Sequence, residues 1–138
     1  MSVTTPKNLV LTTTDLGVAR LAVSGVQINK IGLSSALTDT DASQTELDGV
    51  FNFYEVSIER SQKGLTAVFN VQNSLPASIT KIGLYENEQL IWVIDRVFNR
   101  IHDAIFTLET QAIYLITLFI DVRAGAASIT VNSYEAGG

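Results

Sequence analysis

The chain has 138 residues, 46% of them apolar and 17% charged, enough for one domain with a real core and too apolar for intrinsic disorder. Nine Lys and Arg against fourteen Asp and Glu leave a net charge of −5, which disfavours phosphate-led nucleic-acid binding and docking on an anionic membrane. With no cysteine and a single histidine, His102, disulfides, thiolate chemistry and the His or Cys clusters of most zinc sites are excluded.

Residues 1–8 are polar, with Thr4-Thr5-Pro6, and read as an N-terminal arm. Thr13-Thr14-Asp15 offers side-chain oxygens to the unpaired N–H groups of a helix start. Leu16, Ala19, Leu21 and Ala22 follow at helical spacing, and Ser24-Gly25 supplies a stop, so the spacing predicts a helix over 14–24. Val26, Ile28, Ile31 and Leu33 predict a strand over 26–34. Residues 34–49 are polar and turn-rich and read as a long loop, a length that goes with function or mobility in compact domains. Alternation resumes at Phe51 and predicts an antiparallel hairpin over 50–72, turning at Lys63-Gly64.

Leu75-Pro76-Ala77-Ser78 reads as a loop, Ile79 to Tyr85 as a strand, Glu86 to Gln89 as a polar turn, and Leu90 to Ile94 as the returning strand. Residues 95–103 fit either a helical turn or an irregular loop. Ala112 to Val122 is a nearly continuous apolar strand, which predicts burial on both faces, at a sheet centre or under a partner. Ser128 to Val131 makes a short last strand, and residues 135–138 are expected to fray. The sum is an α+β fold: one short N-terminal helix packed on a mostly antiparallel β-sheet or small β-sandwich, with residues 9–134 as a single domain. One echo is visible, since Gln27 to Leu33 matches Ser78 to Leu84 in spacing and type, as two strands in similar sheet environments would.

The N-terminus lacks a basic segment followed by an apolar core, and the longest apolar run is too short for a membrane helix. The expectation is a protein made in the cytoplasm with no membrane partner. No segment matches a P-loop, a dinucleotide-binding glycine motif or a nucleophile elbow. His102-Asp103 pairs a base with an orienting carboxylate but lacks a nucleophile. Asp39-Thr40-Asp41-Ala42-Ser43 opens like a calcium loop, yet Gln44 stands where that loop needs glycine and Val50 where it needs a bidentate Glu. A solvated acidic loop is the reading that remains, with no catalytic residue, metal or cofactor expected. Of the eleven Phe, Tyr and Trp residues, the ten from Phe51 to Phe119 read mainly as core, while Trp92 would anchor a partner if it faced outward.

The segment Ile79-Thr-Lys-Ile-Gly-Leu-Tyr-Glu-Asn-Glu-Gln-Leu-Ile-Trp-Val93 resembles the hairpin "Glu-Ile-Gly-Leu-Phe-Asp-x-x-Gly-x-Leu-Ile-Ala-Val" of bacteriophage tail-fibre N-terminal (tail-collar) domains. Thr12 to Leu21 resembles the family's opening helix, Ile28 to Gly32 its next strand, Thr45-Glu46-Leu47 its "Thr-x-Leu", and Ala112 to Val122 its closing strand. Gly32-Leu33-Ser34 stands where the family has Gly-Asp-Gly, and the turn at 86–89 lacks its glycine. The chain ends at Gly138 with no shaft or tip, so the resemblance implies the attachment half of the work. That half is a structural, baseplate-proximal adaptor of a virion tail that holds tail fibres to the baseplate.

The resemblance also implies a homo-oligomer, with a trimer favoured, whose partners are baseplate and tail-fibre proteins. A mean hydropathy of +0.26 suits exposed apolar area. Residues 1–8 and 34–49 are then expected to reach neighbouring subunits, with Thr4, Thr5, Asp39, Asp41, Tyr85 and Trp92 as candidate interface residues. The alternative is a small β-rich receptor- or carbohydrate-binding module on the same kind of particle. Exposed aromatics beside Asp or Asn in one groove would favour that alternative, and an extended apolar face would favour the adaptor.

Overall fold

The computed structural model describes residues 2–6, 8–23, 27–61, 64–73, 76–98, 101–109, 112–121 and 124–135. In chain order the elements are β1 (Ser2–Thr4), β2 (Leu9–Thr13), α1 (Asp15–Val23), β3 (Lys30–Ser34), β4 (Val50–Glu55) and β5 (Ser57–Arg60). They continue with β6 (Gly64–Asn73), β7 (Ala77–Ile79), β8 (Lys81–Glu86), β9 (Gln89–Phe98), β10 (Ile101–His102), β11 (Phe106–Leu108), β12 (Ala112–Asp121) and β13 (Ala126–Glu135). The fold is therefore mostly antiparallel β with one short helix.

Two sheets carry the architecture. The first runs β1-β13-β12-β6-β5, and its three ten-residue strands β13, β12 and β6 pair along their whole length. The second runs β10-β9-β8-β3-β4, with β2 also paired to β9. A two-stranded ribbon, β11 with β7, completes the pairing. The sheets share one apolar core. Ile31, Leu33, Ile82, Leu84, Trp92 and Ile94 from the second sheet meet Leu65, Phe69, Val71, Ile116, Leu118, Ile120, Ile129 and Val131 from the first. Burying each large apolar side chain contributes roughly 1.5–3 kcal/mol, so this interleaving is the main driving force of the fold.

The helix begins as its residues dictate. Thr14 is fully buried; its Oγ1 accepts the Gly17 N–H at 3.0 Å, capping the first turn, and donates to the Leu90 carbonyl at 2.7 Å, which ties the cap to β9. Gly17 allows the close approach, because a Cβ there would lie 2.6 Å from the Ile91 carbonyl oxygen. The hairpin of β8 and β9 forms where its sequence places it, with Asn87 at a φ of 56° in the turn, a conformation Asn tolerates.

Several expectations change. The strand expected over 26–34 is shorter, Lys30–Ser34, and Val26 lies outside the described residues. The hairpin expected over 50–72 is split: β4 pairs with β3 in the second sheet and β5 with β6 in the first, so the chain crosses between sheets at Val56. Residues 95–103 extend β9 to Phe98 and turn back as β10. The last strand is ten residues long rather than four.

The arm at 1–8 contains β1, paired with β13, and Leu9 opens β2. β12 does lie at a sheet centre, but it alternates: Tyr114, Ile116, Leu118 and Ile120 are buried while Ile113, Leu115, Thr117 and Phe119 are half-buried. The sequence echo also gains a physical account. β3 and β8 are antiparallel neighbours in which Ile31 faces Leu84, Gly32 faces Gly83 and Leu33 faces Ile82, so each copy meets the other across a local two-fold.

Candidate interaction surface

The candidate interface residues fall in separate places. Trp92 is 3% exposed, belongs to the shared core and donates its Nε1–H to Thr13 Oγ1 at 3.1 Å. Tyr85 is 4% exposed and packs with Leu47, Leu90 and Val93. Both are therefore interior residues and not surface anchors; strand alternation alone does not say which face of a doubly covered strand is bare. Burial pushes the Tyr85 hydroxyl pKa up, opposed by the Leu47 N–H it accepts at 3.3 Å. Thr4 pairs in register with Val131 on the first sheet, and Thr5 is exposed beside it. Asp39 and Asp41 are exposed on the segment over the second sheet, so the structure does not join the six into one site.

Residues 35–49 are also not a reaching loop. They form a strap over the outer face of the second sheet, held by side chains far away in sequence. Lys81 and Asp95, cross-strand neighbours on β8 and β9 and both buried, turn to that face. Lys81 Nζ donates to Thr38 Oγ1 at 3.1 Å, and Thr40 Oγ1 donates to Asp95 Oδ2 at 2.9 Å. His102 Nε2 lies 2.8 Å from Asp39 Oδ1, so the histidine's carboxylate partner is on the strap and not its neighbour Asp103, which sits 3.8 Å from Arg96. Asp41 accepts from the N–H and hydroxyl of Ser43, which hold its pKa below the usual carboxylate range. Leu47 drops its side chain onto Gly83, where an added Cβ would come within 3.1 Å of it. The signal for this strap was a charge inside each of two apolar strands, Lys81 and Asp95, which only a covering segment can satisfy.

Two clefts open near the β8–β9 turn. One of about 700 Å³ is lined by Arg20, Arg60 and Glu86 among others. Glu86 accepts from Arg20 Nε at 2.7 Å and from the Gln27 N–H at 2.7 Å, and these bonds hold its carboxyl below the usual range. The other, about 240 Å³, is lined by Phe53, Tyr54, Asn29, Asn87, Lys30, Glu55 and Glu88. Phe53 is 43% exposed, with Lys30 Nζ 4.4 Å from its ring centre and Tyr85 packed edge-on at 5.4 Å.

The outer face of the first sheet has no segment of the described chain bonded across it. Pleat and register place Val3, Tyr134, Asn132, Thr130 and Ser128 there, then Ile113, Leu115, Thr117 and Phe119, then Gln72, Asn70, Val68 and Thr66, and Ser57 at the edge. Its only carboxylates are Asp121 and Glu59 near the margins, and it has no Lys or Arg among the described residues. Such a face can exclude water from a partner but offers no group that does chemistry. Among the described residues no three His, Cys, Asp or Glu are placed to hold a metal, and no helix is long and apolar enough to cross a membrane. No known family model, curated protein or solved structure matches the chain.

Proposed function

We propose that this protein is a structural adaptor of a phage tail or tail-derived particle, binding fibre and baseplate proteins without catalysing a reaction. The observation that carries this reading is the partly apolar outer face of the first sheet, charged only at Asp121 and Glu59 near its margins and spread over three strands of ten residues. Half-buried Ile113, Leu115, Phe119 and Val68, with Val3 and Tyr134 exposed at the side, give it the apolar area that a protein interface uses. The resemblance of residues 79–93 to the tail-collar hairpin supplies the particle. On this reading the chain is made in the host cytoplasm, works in the virion, and is a homo-oligomer, three-fold being the order the resemblance favours. Co-expression with fibre and baseplate proteins of the same genome, followed by light scattering, tests it. A complex that forms only with one of those chains is the expected result; failure to bind any of them overturns the reading.

A second reading has its own observation. The cleft at Phe53 and Tyr54 sets exposed aromatic surface beside Asn29 and Asn87, the pairing of flat apolar ring and amide that suits a sugar. Glycan-array binding that disappears in Phe53→Ala would favour a carbohydrate-binding module over the adaptor.

A further inference from the structure

We infer that the outer face of the first sheet is covered by the same face of a second copy of this chain, sheet against sheet about a two-fold axis. The inference rests on the reading of that face as an interface and names its occupant, with a two-fold pair in place of the three-fold order that the resemblance favours.

Three observations select a second copy. The first is charge. The chain carries −5 overall, yet this face holds only Asp121 and Glu59, both near its margins, so two copies meet here without opposing like charges at the centre. A basic or acidic partner would find nothing to pair with.

The second is hydrogen-bonding capacity. Apart from Asp121 and Glu59, the polar side chains on the face are those of Ser, Thr, Asn, Gln and Tyr134, hydroxyls and amides that each donate and accept. In an isologous contact residue i meets residue j and j meets i, and groups that both donate and accept can pair across the axis in either role.

The third is area. A ten-residue strand spans about 30 Å, and five strands at about 4.8 Å spacing span about 20 Å. The face thus offers about 600 Å² per copy and about 1,200 Å² in the pair, the lower bound of stable specific interfaces. The half-buried apolar centre at Ile113, Leu115, Phe119 and Val68 supplies the part of that contact that excludes water.

The absence of cysteine makes the test clean. Thr117→Cys and Thr130→Cys, made one at a time, place a lone thiol near the middle of the face, and Glu88→Cys places one at the turn of the second sheet. Under mild oxidation a central variant is expected to give a disulfide-linked dimer, with Glu88→Cys remaining single. Sedimentation equilibrium is expected to show the cysteine-free chain passing from 15.0 kDa to twice that mass with concentration. Leu115→Glu should weaken the association at least tenfold while leaving the far-ultraviolet spectrum unchanged. A monomer at all concentrations, or an oligomer insensitive to Leu115→Glu and cross-linked through Glu88→Cys, overturns the inference. A monomer that captures a fibre or baseplate chain, and loses it in Leu115→Glu, overturns self-pairing alone. A dimer through this face with no tail partner supports self-pairing and counts against the adaptor.

Discussion

The two sheets solve the same problem in opposite ways. Each has an inner face in the shared core and an outer face to cover. The second sheet covers its own with the strap of residues 35–49, seated through Leu47 on Gly83 and bonded to Lys81 and Asp95. The first leaves its outer face to solvent, with Leu115 and Phe119 half-buried only by their strand neighbours. The difference separates two uses of the same kind of surface: apolar area on the strapped face stabilises the fold, and on the reading proposed above the area on the bare face serves contact with another chain.

The largest expected effect comes from breaking the strapped side. Leu47→Ala removes a side chain that is 4% exposed and leaves a cavity over Gly83, which should cost about 2–5 kcal/mol in urea unfolding. Next is Thr40→Val, which deprives the buried Asp95 carboxylate of its 2.9 Å donor, at a cost of roughly 1.5–3 kcal/mol by the same measurement.

Glu86→Gln tests a pH-dependent link at the end of that sheet. The Arg20 hydrogen bond and the Gln27 N–H lower the folded pKa, so Glu86 contributes stability at neutral pH that is lost as pH falls below about 4.5 toward the lowered value. The variant should be less stable at pH 7 and show a shallower acid decline in urea midpoints taken from pH 7 to 3. The smallest effect belongs to the bare face. Leu115→Thr should change monomer stability by less than about 0.5 kcal/mol at dilute concentration. A loss there as large as that of Leu47→Ala would erase the contrast between the two faces.

Much of the fold was legible in local residues. Thr14 and Asp15 mark the helix start, the pattern from Ile79 to Val93 marks the β8–β9 hairpin, and Ala112 to Asp121 marks a central strand. What was not legible depended on distance. Nothing near Val56 announces that the chain changes sheets, because Phe53 and Ile58 alternate alike on either side while their partners, Gly32 and Ala67, lie in different sheets. The strap looked solvated because Thr38, Asp39 and Thr40 find their partners 43, 63 and 55 residues away. The interface residues suffered most. Trp92 and Tyr85 were singled out by size and alternation, whereas the bare face is made of Thr, Asn and β12 side chains that resemble any half-buried strand.

The pairing of β1 with β13 sets Ser2 opposite Ser133. During synthesis the first strand therefore waits for roughly 130 further residues before its partner exists, about 7–26 s at ordinary ribosomal rates. β6 likewise has no long neighbour until β12 is made, and β13 follows last. The second sheet, complete by residue 102, is ready earlier and can serve as the template on which the first is laid down. The bare face is thus the last part of this fold to come into being, laid down on a sheet that is already formed.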